Sequence, residues 1–481
     1  MRGWRAKKVM LLVVSLLPAV YALAINDWFA VNYHDSGIRK LFGCKVENLD
    51  SAVYLTDFND YALQKEDEEF PTALGVFAEG KEPFFIPVDS LISIRIRDNV
   101  PLLRITTDLP VEEVPDKENY LSATIEFFPS EGSGDTLISK VNIRGRGNTT
   151  WEMPKKPYRL KFDKKQSLAG LPKAKSFVLI ANYLDNTLMK NAVAFEMARL
   201  LDMPYANEAV PVDLVFNCEP RGSYMLTQKV GINAGSVDID EMSGVMWEID
   251  SYFDEEYKFR STRYNLPCMI KDPDFLEIAE GDTVTAKVYW EYWRGDLDLA
   301  INQVYNGRWQ DVFDAGSLVD YLLVNHLLGN LEITQAKSIY LYKEGPGMKY
   351  KFGPVWDFDW ALGFFSEAFP AGTPFIRPDN AGYDFWMKIV SDPAFIALFR
   401  ERLDNFEAEG MEKLMTFIDE YADRIRISAS KDAEIWPEEA FYGFKTREIN
   451  KSRFEENVDI LKDFIMSRLR NIRNRENLLL Y

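Results

Sequence analysis

Histidine is nearly missing from this chain: His34 and His326 are the only two in 481 residues. A Ser-His-Asp or Cys-His mechanism, or a histidine-rich zinc centre, would have to rest on one of them. His326 lies in "LVDYLLVNHLLGN", an apolar-periodic stretch, and reads as a satisfied structural histidine on a helix. Cysteine is scarce as well. Cys44, Cys218 and Cys268 form at most one intramolecular disulfide, show no metal-ligand spacing and read as incidental core residues. Positive charge is also in deficit, with a formal net charge of −19, which argues against a general affinity for nucleic acid or an anionic membrane surface. Chemistry must then run on carboxylates, lysine, arginine and metal.

What is present supports a large globular protein. Hydrophobic residues make up 47% of the chain and aromatics 14%, enough to bury a sizeable core in two or three domains or lobes. Arg2, Arg5, Lys7 and Lys8 precede the apolar run "VMLLVVSLLPAVYALA", which reads as an export signal, residues 1–24, cleaved after Ala24. Cleavage takes the formal charge to −23. The run is short for a membrane span and Pro18 interrupts it, so no membrane attachment is expected in the mature form. The expected location is secreted: periplasmic, cell-surface or extracellular.

Residues 25–100 hold short alternating runs such as "FFIPVDSLISIRIRD", a small N-terminal β-rich region. "YLSATIEFFPSEGSGDTLISKVNIRGRGNTTW" reads as two strands around a Gly/Ser turn, ending in a second glycine-rich turn. "KPYRLKF", "SFVLIANY", "AVPVDLVFN", "GSYMLTQKV" and "GVMWEID" continue as strands. "DNTLMKNAVAFEMARLL", residues 185–201, has helical periodicity with Asp185 as N-cap. Beyond Ala315 the pattern is mainly helical, apart from a hairpin over "SIYLYKEGPGMKYKFGPVWDF". There is no internal repeat and no low-complexity linker.

Two clusters carry the chemistry. In "KFGPVWDFDWALGF", a strand would place Asp357 and Asp359 on one face, where they repel unless a divalent metal sits between them. The other reading is a turn in which one aspartate caps a helix starting near Ala361. "NIRGRGNTTWEMPKKPYRLKF" holds Arg144, Arg146, Lys155, Lys156, Arg159 and Lys161 beside Gly145 and Gly147. That composition suits a phosphate cradle, with Arg159 and Lys161 sharing a strand face, though a hairpin with solvated basic edges has the same pattern. Basic residues for phosphate and paired carboxylates for metal together describe phosphoryl transfer from a metal-nucleotide complex.

"RGRGNTTW", "KKPYRLKF", "LIANYLDNTLMKNAVAFEMARLL", "GSYMLTQKV", "MIKDPD" and "FGPVWDFDWALGF", in this order, resemble the CotH family of spore-coat-protein-H-like atypical kinases. The resemblance runs from about residue 101 to the C-terminal helices, residues 101–481. It implies an α+β, divergent protein-kinase-like two-lobed fold binding ATP and Mg²⁺ or Mn²⁺ and phosphorylating serine-rich proteins. Asp357 would hold the metal with Asp359 in support. Lys161 or Arg159, with Arg144, Arg146 and Asn148, would contact the phosphates, and Glu196 would orient that cation by an ion pair. In "GNLEITQAKSIYLY" this chain departs from the family pattern: Glu332 stands where a catalytic Asp is usual, and Ser338, or Gln335, where an Asn helps hold metal. Gln228 also stands where related sequences often have Glu.

Trp151, Trp247, Trp356 and Trp360 read as core packing, and "DEEY" as a solvated loop whose charge would suit basic segments of a Ser/Thr-rich protein substrate. The expectation is a monomeric, secreted protein kinase acting on envelope or extracellular proteins. Two alternatives stay open: a non-catalytic surface binding or adhesion protein, and a metal-dependent phosphoester or glycan hydrolase, since paired carboxylates also serve glycosidases.

Overall fold

The computed structural model describes residues 100–474 apart from 131–135, 331, 364–369, 379–380 and 437–453, together with the backbone of six short strands before them. The export signal, His34 and Cys44 lie outside the described residues. Strands β1 (Ala30–Val31), β2 (Ala52–Leu55) and β6 (Ser93–Ile96) form one three-stranded sheet; β3 (Tyr61–Lys65), β4 (Ala73–Ala78) and β5 (Phe84–Pro87) form another.

Seven strands then close into a barrel: β7 (Leu102–Thr107), β8 (Leu121–Phe128), β9 (Leu137–Gly145), β10 (Tyr158–Gln166), β11 (Ala174–Ile180), β12 (Val210–Phe216) and β13 (Glu219–Gln228), in the order β10-β11-β13-β12-β7-β8-β9. Every pairing is antiparallel except β7 with β12. Closure leaves no open edge, and alternation sorts the side chains. Ala123, Ile125, Val141, Ile143, Tyr158, Leu160 and Phe162 fill one core, where the Tyr158 ring stacks 6.0 Å from both Phe216 and Tyr224. Arg159 and Lys161 share a face, and it is the outer one.

A second antiparallel sheet, in the order β15-β16-β14-β17-β18, comprises β14 (Val245–Ile249), β15 (Lys258–Arg260), β16 (Pro267–Asp272), β17 (Ile339–Lys343) and β18 (Lys351–Phe352). The mixed α+β class read from the sequence is the one the chain adopts. The helix Lys190–Leu200 is buried on nearly every side, packed between the helices Met411–Ile435 and Ala315–Leu327, so its polar Lys190 and Asn191 must find partners inside. It begins five residues after Asp185. Asp185 does not cap the helix but ties the preceding loop, accepting from Thr187 N, Thr187 Oγ1 and Lys190 N.

The helix Met411–Ile435 is fastened to the barrel by buried charge. Lys155 Nζ lies 2.5 Å from Asp432 Oδ1, and Gly222 leaves the space that Asp432 occupies, because a Cβ there would come within 2.4 Å of its oxygen. Lys155 thus belongs to the scaffold rather than to a phosphate cradle. His326 is structural: its ring stacks 4.8 Å from Phe375 and its Nδ1 lies 3.0 Å from Arg468 Nη2. Cys218 is exposed, Cys268 is buried, and each is free.

Candidate active site

Six chain segments converge on an open cleft of about 220 Å³ between the barrel and the second sheet. The first is the turn after β9, Arg146 to Thr150. Gly145 is required there because the Trp151 ring lies where a Cβ would be, at 2.4 Å, and Gly147 has φ +82°. The others are the end of β11 through Asn182; the ends of β14 and β16 with Glu248, Asp250 and Lys271; the loop Asn330 to Ser338; and the loop Trp356 to Trp360.

Neither reading of Asp357 and Asp359 holds in full: the strand stops at Phe352, and the turn at Asp359 and Trp360 leads into no helix at Ala361. Pro354 has no N–H to give a ladder, and Asp357 takes φ +60°, so the two aspartates stand on a loop. They still face one cleft. Asp359 Oδ1 accepts from Asn191 Nδ2 at 2.7 Å, while Asn191 Oδ1 accepts from Phe358 N at 2.9 Å. Asp357 Oδ2 is 3.4 Å from the Ser338 hydroxyl, and Asp357 O accepts from Asn330 Nδ2 at 3.2 Å. Asn330 Oδ1 in turn accepts from Glu332 N at 3.1 Å, so one asparagine couples the two acidic loops. Asp250 Oδ2 accepts from Ser338 N at 2.9 Å.

The cleft crowds negative charge. Burial pushes the Asp357 carboxyl up against the opposing pull of Arg146, Ser338 and Lys337. Burial and then Asp357 push Glu332 up to about 8; burial, Asp357 and Asp185 push Asp359 up to about 7. Burial, followed by Glu248, raises Asp250 to about 6. Glu248 itself is neutralised by Lys271 Nζ at 2.6 Å and receives the Tyr340 hydroxyl at 2.6 Å.

Such carboxylates hold protons in the folded state that the unfolded chain has already released, so their contribution to stability falls as pH rises. The loss runs from about pH 4, where unfolded carboxyls titrate, to about pH 8. Metal binding displaces those protons. The rise in melting temperature caused by excess Mg²⁺ should therefore be larger at about pH 8 than at about pH 6. Equal shifts at both would show that these carboxylates do not take up the ion.

The structure gathers Arg146, Asn148, Glu332, Ser338, Asp357 and Asp359 around the cleft. It does not bring the other four candidates there. Arg144 donates to Lys117 O at 2.6 Å and lies over the Tyr120 ring. Lys161 is exposed on the outside of the barrel, near the same ring. Arg159 faces outward beside Arg144, its cross-strand partner, with its Nε buried and unbonded. Glu196 pairs with Arg199, three residues on, at 2.6 Å, and so orients neither Arg159 nor Lys161. The sequence reading missed Asn191, Lys271 and Lys337, all of which line the cleft. Glu255 of the "DEEY" run lines the cleft and pairs with Lys271 at 3.3 Å. Trp247 and Trp356 are buried as expected, whereas Trp151 and Trp360 are half-buried.

Among the described residues, no group of three or more His, Cys, Asp or Glu side chains is arranged as a metal cage. A hard cation such as Mg²⁺ does not require one: it takes one or two carboxylates and completes its octahedron with phosphate oxygens and water. Asp357, with the Ser338 hydroxyl 3.4 Å away, offers oxygen donors of that kind, and the surplus of buried carboxylates favours a cation. The residues fit the ion. Among the described residues, no helix is long and apolar enough to cross a membrane.

The family model described as CotH kinase protein matches residues 143–472, well over half of the chain. No curated protein matches the chain.

Proposed function

The chain belongs to the CotH kinase protein family, and on that premise we propose that it transfers the γ-phosphate of ATP to Ser or Thr hydroxyls of an envelope or extracellular protein. The observation that carries this reading is the meeting of Glu332, Asp357 and the glycine-bounded turn with Arg146 in one cleft. We read the barrel as the lobe that grips nucleotide and the helical body with the second sheet as the opposing lobe of a divergent kinase-like fold.

In the reading proposed here, Asp357, supported by Ser338, holds a Mg²⁺ or Mn²⁺ ion, which supplies charge neutralisation at the phosphates. Asp359 stays in its bond from Asn191 and adds negative potential. Arg146 and the backbone of Gly147 and Asn148 face the polyphosphate from the barrel side. Glu332 accepts the proton of the substrate hydroxyl as its oxygen bonds to the γ-phosphorus; the bond from that phosphorus to the bridging oxygen breaks, and ADP leaves with the electron pair. The acidic loop with Asp254 and Glu255 at the cleft mouth suits a substrate with basic residues near its Ser or Thr. Export and a monomeric state complete the proposal.

The test is a thermal-shift titration of the wild-type protein with ATP plus Mg²⁺ or Mn²⁺. Binding to the folded state alone raises stability by roughly 2.7 kcal/mol at a hundredfold excess over Kd. A second reading, a non-catalytic binding protein on the same fold, is favoured by Glu332 and Ser338 at the two departing positions. No stabilisation by any nucleotide with either metal would select it.

A further inference from the structure

Lys337 sits at the acidic end of the cleft, one residue from Ser338 and five from Glu332, and has no part in the chemistry described so far. Its backbone is held on both sides. Lys337 N donates to Glu332 O at 3.2 Å, Ser338 N to Asp250 Oδ2 at 2.9 Å, and Ser251 N to Ala336 O at 2.8 Å. Ala336 and Ser338 both take φ +50°, a left-handed conformation that costs a non-glycine residue about 1 kcal/mol or more. Two such residues around one lysine mean that the surroundings impose the shape of this loop, and with it the place from which the side chain enters the cleft.

The side chain itself is held softly. Lys337 Nζ lies 5.0 Å from the centre of the Tyr252 ring and 5.7 Å from that of Trp360. Ring faces attract an ammonium but do not occupy its three N–H donors, and among the described residues no hydrogen bond or ion pair to this nitrogen is formed. Its charge reaches both carboxylates on which the proposed chemistry depends, Glu332 and Asp357. A cation with open donors, beside the base and the metal ligand, is placed where a transferring phosphoryl group carries its charge.

We propose that Lys337 is the γ-phosphate contact of this cleft, its ammonium moving from the Tyr252 and Trp360 rings to hydrogen-bond the terminal phosphoryl oxygens of bound nucleotide. This rests on the phosphotransfer reading, and it divides the cations: Arg146 serves the polyphosphate from the barrel side, and Lys337 serves the group that is transferred.

The experiment is calorimetric titration of the full chain with ATP and with ADP, each with Mg²⁺, for wild type, Lys337→Met and Lys337→Arg. Loss of a charge-assisted hydrogen bond should weaken ATP binding about 10- to 100-fold in the Met variant. ADP affinity should stay within about twofold, which also shows the variant to be folded. The Arg variant should keep part of the preference for ATP. Equal losses for both nucleotides, or an unchanged preference for ATP in the Met variant, would overturn this assignment while leaving phosphotransfer standing. Failure of the wild type to bind ATP at all would remove both.

Discussion

Replacing Asp357 by Asn should abolish Mg²⁺-dependent nucleotide binding and phosphotransfer while leaving the protein as stable as the wild type or more so. The functional loss follows from removing the carboxylate that faces Ser338 across 3.4 Å, the proposed metal ligand. Outer-shell partners of metal sites already account for about 10- to 100-fold in affinity, and a direct ligand should exceed that. The stability side follows from two further facts. Asp357 takes φ +60°, a conformation that asparagine tolerates at least as well as aspartate, and the bond from Asn330 goes to its backbone oxygen, which the substitution keeps. Burial and the neighbouring carboxylates disfavour the charge in the ion-free state, so neutralising it removes a cost. Asp357→Ala is the control: it loses the same function and adds the strain of alanine at a left-handed position, roughly 1–2 kcal/mol. An Asn variant that unfolds more readily than wild type yet keeps its Mg²⁺-dependent ATP affinity would make Asp357 a structural residue.

How much of this was legible in the sequence depended on how far apart the partners were. The barrel strands could be read because alternation is local: Tyr158, Leu160 and Phe162 point in while Arg159 and Lys161 point out, whatever the rest of the chain does. The same local rule misled at Asp357, where Gly353-Pro354 ends the ladder before the aspartates are reached. That signal stood in the sequence and outranks alternation. Glu196 was assigned a distant cation although Arg199 stood three residues away on the same helix. The helix Thr283–Tyr305 escaped notice because Val284, Val288 and Leu299 lie on its exposed face, which blurs the apolar period. Asn191 could not have been found this way. Its bond to Asp359 spans 168 residues and exists only because a buried helix docks against the acidic loop.

Glu332→Gln should slow turnover by roughly 10²- to 10⁴-fold while sparing ATP affinity, the expected signature of losing a general base. Glu332 is buried and lines the same cleft as Asp357, and Asn330 ties the backbones of the two together, which puts the carboxyl in the cleft that role requires. Its protonation sets the conditions. Burial and Asp357 raise the carboxyl to about 8, so in the ion-free protein it is largely protonated near neutrality. A divalent ion on Asp357 would replace repulsion by attraction and lower it, freeing the base when substrate is bound. The wild-type rate should therefore rise with pH along an ascending limb, and that limb should vanish in the Gln variant, which has nothing to deprotonate. Glu332→Asp should retain or raise activity if the cleft accepts the shorter side chain, since Asp250 and Ser338 shape the loop independently of that reach. A Gln variant turning over within about threefold of wild type, with the ascending limb intact, would place the base elsewhere. Asp250, raised to about 6 in the same cleft, would then be the next carboxylate to test.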